Sequence, residues 1–252
     1  MTLQRIAAVV SVLIAAALPA RAGSVDEIGR AAEEQARVGV PLRAEIRATI
    51  DGVEGNRSER IVMLLRKAPQ GEGVETFVDL AEAKLRYLVL ADGTAFAAED
   101  GEAKEVALDT PIGATSWVLE DLRPFSIERC GVMRNVDESP RQITILCNPV
   151  KGQKTTYVLT TYKFDREKAV PERVMYYQER QDNLVKMLRN EELSLVGRKW
   201  LPARITMQNF RMRTKDVFEI EWSQANDLPP EPFDPKTFAE APIARTKSAA
   251  AR

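Results

Sequence analysis

The side chains that most enzymes use for nucleophilic or metal chemistry are scarce in this 252-residue chain. It contains no histidine, which removes serine–histidine and cysteine–histidine catalysis and imidazole metal sites. Its two cysteines, Cys130 and Cys147, lack the close spacing of a structural zinc site. We find no Gly-x-Ser-x-Gly nucleophile motif and no glycine-rich phosphate loop after a predicted strand. The sequence therefore predicts no catalytic residue, no metal and no cofactor.

Carboxylates are plentiful, and several of them are adjacent in sequence, such as Glu120-Asp121 and Glu191-Glu192. A glycosidase-type site needs two carboxylates that face each other across a cleft, whereas neighbours on a strand point to opposite faces. We therefore interpret these pairs as parts of solvated surfaces. An envelope hydrolase that uses carboxylates remains an alternative, which a facing pair in a cleft would support.

The two cysteines flank a loop of charged and turn residues, 135–141. If 127–133 and 142–147 form a hairpin, Cys130 and Cys147 face each other at a distance that permits a disulfide bond. As a structural staple, this bond would contribute roughly 3 kcal/mol on the chain-entropy model. A redox switch is the alternative, but nothing nearby in the sequence would activate a thiolate.

The first 22 residues have the pattern of a secretory signal. Arg5 precedes an apolar run over 6–18, and Ala20-Arg21-Ala22 gives the small-x-small cleavage pattern. The apolar run is shorter than the about 20 residues that a transmembrane helix needs. The sequence therefore predicts cleavage after Ala22 and export to the periplasm, with an uncleaved anchor as the alternative. The 36 basic residues do not exceed the 37 acidic ones, so no nucleic-acid partner is predicted.

The mature chain reads as a single domain over 23–240, followed by a disordered tail over 241–252. A helix is predicted over 25–38, because Ser24 and Glu27 have the spacing of a capping box. From Leu42 the apolar period switches to two, which is typical of a strand with one buried face. Further strands are predicted at 59–67, 74–80, 84–90, 94–98, 127–133, 142–147, 155–164, 173–179, 184–193, 202–210 and 216–222. Short spacing without helical crossovers indicates an antiparallel sheet curled into a barrel or half-barrel.

Several segments resemble the LolA-like family, specifically its outer-membrane lipoprotein-sorting branch. The stretch 112–122, Ile-Gly-Ala-Thr-Ser-Trp-Val-Leu-Glu-Asp-Leu, is similar to that branch's Gly-Ser-Asp-x-x-Tyr-x-Asp-Leu segment. Segments 162–165, 174–188 and 200–207 look like its closing strands, and 233–238 looks like its terminal Phe-bearing segment. The resemblance spans about 42–240. It implies an incompletely closed antiparallel half-barrel whose helices lid a hydrophobic cavity, with a periplasmic role in carrying or sensing lipids or lipid-modified proteins.

From this resemblance and the strand alternation we expect inward-facing side chains to bind acyl chains, because each buried CH₂ contributes about 0.8 kcal/mol. The expected cavity residues are Leu42, Ile46, Ile50, Ile61, Met63, Leu65, Phe77, Leu85, Tyr87, Met175, Tyr177, Ile205, Met207, Phe218 and Trp222. The expected lid residues are Ile28, Trp117 and Leu122.

The expected partners are a lipid or acylated protein cargo, an inner-membrane exporter and an outer-membrane acceptor, and the carrier is expected to be a monomer. The alternative is a non-catalytic envelope sensor or protein-interaction module whose barrel is filled by its own side chains.

Overall fold

The alternation that starts at Leu42 forms the centre of a large antiparallel sheet. The computed structural model describes residues 24–52 and 55–243, so the predicted signal segment 1–22 and most of the predicted tail lie outside the described residues. Within these ranges thirteen strands form one sheet. Their bounds are β1 Leu42–Gly52, β2 Gly55–Lys67, β3 Val74–Leu80, β4 Leu85–Val89, β5 Ala95–Glu99, β6 Glu102–Val106, β7 Cys130–Glu138, β8 Gln142–Pro149, β9 Leu159–Asp165, β10 Pro171–Tyr177, β11 Leu184–Val196, β12 Lys199–Asn209 and β13 Thr214–Gln224.

The strand order places the first and last strands side by side at the middle of the sheet. It runs β6-β5-β4-β3-β2-β1-β13-β12-β11-β10-β9-β8-β7, and Leu42 lies opposite Gln224. The edge strands β6 and β7 do not pair with each other, so the barrel stays open. The predicted fold, an incompletely closed antiparallel half-barrel, is confirmed. We call the face that carries Ile46 and Phe218 the concave face, and the opposite face the convex face.

One α-helix precedes the sheet. α1 (Val25–Ala36) begins at Ser24, whose hydroxyl accepts from the Glu27 backbone N–H, while the Glu27 carboxylate accepts from Ser24 N at 2.7 Å. The helix therefore has the predicted capping box, but it ends two residues earlier than the predicted range 25–38. Its buried side chains pack against β8, β9 and the loop before β7, in a cluster of Ile28, Ala32, Phe125, Ile143, Ile145 and Phe164.

Some strand boundaries differ from the predicted ones. β6 was not predicted, because four of its five residues are exposed and its sequence, Glu-Ala-Lys-Glu-Val, shows no buried face. The predicted strand 127–133 begins as a short 3-10 helix, Ile127–Arg129, and becomes a strand at Cys130. The predicted strand 155–164 begins only at Leu159. The Thr155 hydroxyl and the Thr156 backbone N–H donate to the Glu120 carboxylate instead of to a neighbouring strand.

The convex face is covered by the end of the described chain. Residues 228–243, which we call the tail cover, contain the 3-10 helix Glu231–Phe233. Phe233 and Phe238 of this segment are 3% and 0% exposed. They form one apolar cluster with side chains of β2, β3, β4 and β5, namely Leu64, Phe77, Leu88 and Ala98.

Candidate functional site

The antiparallel register gathers large apolar side chains on the concave face. Ile46 of β1 lies opposite Ile61 of β2 on one side and opposite Ile220 of β13 on the other. Phe218 lies opposite Ile205 of β12. Because alternate residues of each strand point to the same face, these alignments produce a continuous apolar surface. Its buried members include Ala44, Ile46, Ile61, Met63, Tyr87, Val174, Tyr176, Leu188, Ile205, Met207 and Phe218.

A segment between β6 and β7 crosses this surface. Residues 107–124, which we call the strap, fold back on themselves through an antiparallel bridge between Pro111 and Val118. The Trp117 ring stacks on Phe218 with 3.9 Å between the centroids and 4° between the planes. Ile112 and Leu119 are both 0% exposed. The strap therefore fills the middle of the concave face with its own side chains.

Two carboxylates of the sheet hold the turn of the strap. Asp216 of β13 accepts a hydrogen bond from Ser116 N, and Glu59 of β2 accepts one from Ala114 N at 3.2 Å. Burial raises the pKa of both carboxyls. One oxygen of each, Asp216 Oδ1 and Glu59 Oε2, is buried without a hydrogen-bond partner among the described residues. This end of the strap is therefore held by buried carboxylates whose hydrogen-bonding capacity is only partly satisfied.

Gly113 fits this turn because no larger residue would. Its φ is +55°, in the left-handed region that favours glycine. A Cβ at this position would collide with the Leu80 side chain and come within 2.9 Å of Glu59 Oε2. Its backbone N–H donates to Tyr87 Oη at 3.1 Å. The glycine thus lets the strap approach the sheet closely enough to donate hydrogen bonds to the two carboxylates.

A buried ion pair holds the other half of the strap. Lys186 Nζ of β11 lies 2.5 Å from Asp121 Oδ2, and the two side chains are 5% and 0% exposed. Asp121 also accepts from Val118 N at 2.9 Å and from Tyr157 Oη at 2.6 Å. Burial and the nearby Asp121 raise the pKa of Tyr157, so its hydroxyl remains a donor. All these contacts position the strap.

The adjacent carboxylate binds the chain that leads into β9. Glu120 accepts hydrogen bonds from Thr155 Oγ1 and Thr156 N. Four carboxylates therefore accept hydrogen bonds from backbone or side-chain donors around the strap: Glu59, Glu120, Asp121 and Asp216. These four carboxylates act as anchors in the structure. In the described residues, no group of three or more Cys, Asp and Glu side chains is arranged to hold a metal ion.

The structure brings most of the predicted cavity residues to the concave face but not all of them. Phe77 lies on the convex face, where it packs under the tail cover. Met175 and Tyr177 alternate with Val174 and Tyr176, which belong to the concave cluster, so they too face the convex side. The other predicted cavity residues share the strand faces that point inward: Leu42, Ile46, Ile50, Ile61, Met63, Leu65, Leu85, Tyr87, Ile205, Met207, Phe218 and Trp222.

The three predicted lid residues lie on two different covers. Trp117 and Leu122 belong to the strap and pack against the main concave cluster. Ile28 belongs to α1 and packs with Phe125 over β8 and β9. The concave face is thus covered by α1 near its β7 edge and by the strap at its centre.

The predicted disulfide between Cys130 and Cys147 is confirmed, with 5.1 Å between the Cα atoms. The hairpin interpretation expected the two cysteines to lie directly opposite each other, but they do not. A register shift between Cys130 and Val132 pairs Cys147 with Met133 and Cys130 with Pro149. The bond therefore joins diagonal neighbours at the edge hairpin of the sheet.

Sequence reasoning missed the charged anchors of the strap, although the pattern contained a signal. In β13, Asp216 has the same parity as Phe218 and Ile220, so alternation places its carboxylate on the apolar face. In β11, Lys186 has the same parity as Leu188, which belongs to the concave cluster. A charged residue in phase with an apolar strand face indicates a buried polar contact.

These features define a class of protein: an open antiparallel half-barrel whose apolar concave face is covered by a helix and a strap. A similar fold occurs in an outer membrane lipoprotein-sorting protein domain from Vibrio parahaemolyticus, with a TM-score of 0.74 at 13% identity, over 86% of this chain and 100% of that one. A DUF1329 family protein from Desulfovibrio piger gives 0.70 at 14% identity, over 83% and 97%. A LolA superfamily protein from Nitrosomonas europaea gives 0.65 at 14% identity, over 84% and 98%.

The chain therefore has a LolA-like fold, as the resemblance in the sequence predicted. A family model described as an uncharacterized protein matches residues 134–240. None of the curated proteins matches the chain. Among the described residues, no helix has the length and apolar character needed to cross a membrane.

Proposed function

We propose that the protein is a non-catalytic carrier that binds the acyl chains of a lipid or lipoprotein on the concave face of its sheet. The observation that supports this proposal most directly is the nature of the cover on that face. The central cover is a single loop segment that contributes Ile112, Trp117 and Leu119 to the apolar cluster. An acyl chain offers the same kind of surface as these side chains. Exchange of the strap for an acyl chain therefore keeps apolar surface out of water in both states.

The anchors of the strap are compatible with this exchange. Asp216 and Glu59 each keep a buried oxygen without a partner among the described residues, and burial disfavours their charged forms. Release of the strap returns both carboxylates to water, which offsets part of the lost apolar contact. The strap then acts as a lid that closes the empty carrier.

The proposed site of action is the periplasm. The signal pattern in 1–22 supports export, and the disulfide suits an oxidising compartment. In this setting the carrier would receive its cargo from an inner-membrane exporter and deliver it to an outer-membrane acceptor.

Trp117 offers a direct test of lipid binding, because its ring lies on the Phe218 ring in the closed form. In a variant with Trp200→Phe and Trp222→Phe, Trp117 is the remaining indole. Titration with lysophosphatidylcholine or with a diacylated lipopeptide is expected to shift its emission as the strap leaves the sheet. The matched control carries Trp117→Phe and Trp222→Phe and keeps Trp200, since Trp222 itself packs against the concave cluster. Its emission should not respond to the same ligands.

Protein purified without detergent from a lysate that still contains the cell membranes provides a second readout. Native mass spectrometry and lipid extraction are expected to find bound lipid. Absence of both the Trp117 response and any co-purified lipid would contradict the carrier. That result would favour the second candidate, an interaction module with a filled barrel, for which the complete burial of Ile112 and Leu119 is the supporting observation.

A further inference from the structure

Two arginines converge where the strap ends. Arg123 follows the 3-10 helix Leu119–Leu122, and Arg129 closes the 3-10 helix Ile127–Arg129 just before Cys130. Both side chains line a cleft of about 580 Å³ between α1, the β2–β3 turn and the end of the strap. Both also line a small cavity of about 40 Å³ beside the disulfide. The cleft and the cavity therefore share a wall that carries two guanidinium groups.

Neither arginine of this pair has a direct carboxylate partner in the described part of the chain. Neither guanidinium forms an ion pair or a side-chain hydrogen bond with another residue in 24–52 or 55–243. Burial and, to a smaller extent, repulsion from Arg129 lower the pKa of Arg123 to about 10, although the nearby carboxylates of Glu120 and Asp92 act in the opposite direction. Two like charges that are partly removed from water repel each other and form no ion pair here, so a bound anion would stabilise them.

The acidic residues on the cleft wall are mostly occupied elsewhere. Glu33 Oε1 accepts from Ser126 Oγ at 2.9 Å and from Ile127 N at 3.1 Å. Glu72 pairs with Lys67 at 2.6 Å, and Asp92 Oδ1 accepts from Thr94 N at 2.8 Å. Glu128 is exposed. Glu120 lines the small cavity with both arginines, but its carboxylate accepts from Thr155 Oγ1 and Thr156 N and forms no ion pair with either of them.

A buried acceptor adds a second requirement on the ligand. Gln153 lines both the cleft and the small cavity, and its Oε1 atom is buried without a partner among the described residues. A buried carbonyl oxygen without a donor is unfavourable, and a ligand hydroxyl would satisfy it. The wall therefore offers several guanidinium donors and one amide acceptor.

We propose that this cleft binds a phosphate ester that carries a neighbouring hydroxyl group, such as glycerol phosphate. Arg123 and Arg129 would hold the phosphate oxygens, since planar guanidinium groups match the geometry of phosphate. Gln153 Oε1 would accept from the hydroxyl. The same chemistry occurs in a free polyol phosphate and in the headgroup of phosphatidylglycerol. The second source rests on the proposed carrier function, and the first does not.

The first experiment is calorimetric titration of the mature chain with glycerol 3-phosphate, inorganic phosphate and glycerol. Glycerol 3-phosphate is expected to bind more tightly than phosphate, and glycerol is expected not to bind. Arg123→Gln and Arg129→Gln should each weaken binding by about tenfold or more, because each removes charge-assisted hydrogen bonds. Gln153→Leu should reduce only the preference for glycerol 3-phosphate over phosphate.

Arg37→Gln is the matched control, because Arg37 lines the same cleft but pairs with Glu34 at 3.3 Å. It should bind glycerol 3-phosphate as the parent protein does. Arg123→Lys and Arg129→Lys keep the positive charge and serve as conservative variants in case the glutamine variants misfold. An unchanged thermal unfolding midpoint shows that a variant is folded. The proposal is overturned if no phosphate binds, or if folded Arg123→Gln and Arg129→Gln bind as tightly as the parent.

The second experiment separates the two sources. Lysophosphatidylglycerol and lysophosphatidylcholine are compared by the Trp117 emission shift. A preference for the glycerol headgroup that disappears in Arg123→Gln supports a lipid source. Glycerol 3-phosphate binding without any Trp117 response to either lysolipid supports a free phosphate and contradicts the carrier alone. Equal responses to both lysolipids, with no effect of either arginine variant, contradict the headgroup site and leave the carrier standing.

Discussion

The two faces of the sheet are covered in chemically different ways. On the convex side, the tail cover places Phe233 and Phe238 in an apolar cluster. On the concave side, the strap places Trp117 and Leu119 in a comparable cluster but also buries charge, with Asp121 against Lys186 and Asp216 against Ser116.

The charges beside the tail cover are compensated. Arg86 pairs with Asp79 at 2.9 Å and donates to the Ala239 carbonyl at 2.7 Å. Arg66 pairs with Glu75 at 2.8 Å and lies over the Phe233 ring at 4.2 Å. By contrast, two of the buried oxygens without a partner among the described residues belong to strap anchors, Glu59 and Asp216. This contrast agrees with the proposed function, in which the concave cover exchanges with cargo and the convex cover stays in place.

Loss of the most deeply buried side chain of the tail cover should have the greatest effect. Phe238→Ala is expected to lower the free energy of unfolding by about 4 kcal/mol, because it leaves a cavity under the tail cover. Urea unfolding measures this loss. The exposed Phe210 supplies the control, since Phe210→Ala should change stability by less than about 0.5 kcal/mol. Trp117 emission in folded Phe238→Ala should stay unchanged, and a shift would show that the two covers are coupled.

Removal of the buried cation should release the other cover. Lys186→Met is expected to cost about 3 kcal/mol, because it leaves the Asp121 carboxylate buried without its partner. Here Trp117 emission should shift towards that of an exposed indole. The added change Asp121→Asn should recover part of the stability. Lys84→Met, which breaks the exposed pair with Asp100, is the control and should cost no more than about 1 kcal/mol. Equal costs at the two lysines would contradict a buried anchor.

The pH dependence of stability offers the finest distinction. Burial raises the folded-state pKa of Asp216 and Glu59 above their unfolded values, so the native state binds protons more tightly. This contribution is fully present below the unfolded pKa and is lost as pH rises through the raised folded pKa. Asp216→Asn should flatten the corresponding part of the stability curve, measured by urea unfolding at several pH values. Asp100→Asn, at the exposed pair, should leave the curve as it is; a similar flattening there would refute the assignment to the anchor.

The parts of the fold that follow strict alternation could be predicted from the sequence. β1 buries every second residue from Leu42 to Ile50, so its inward face is unambiguous. β3 is different, because all seven of its residues are buried and period two no longer distinguishes the faces. Phe77 was therefore assigned to the wrong face. Met175, Tyr176 and Tyr177 are consecutive large side chains, which leaves the same ambiguity in β10.

The candidate site was only partly accessible to sequence reasoning. The resemblance of 112–122 to the LolA-like family drew attention to the strap, and Trp117 and Leu122 were among the predicted lid residues. The partners of the strap lie far away in sequence: Ser116 and Asp216 are 100 residues apart, and Asp121 and Lys186 are 65 apart. Alternation places a charged residue on a face, but only the strand order brings it to its partner. The arginine pair of the cleft depends in the same way on how two loops meet.

The pairing of the first strand with the last has a consequence for how the chain reaches its native state. Residues near Leu42 complete their hydrogen bonds only when Gln224 and its neighbours are available. Such non-local pairing slows folding to the order of milliseconds to seconds and leaves strand edges open in the meantime. Partly folded intermediates therefore expose aggregation-prone strand edges until the segment that forms β13 is available. A holding chaperone that delays self-association over this interval should increase the yield of folded molecules.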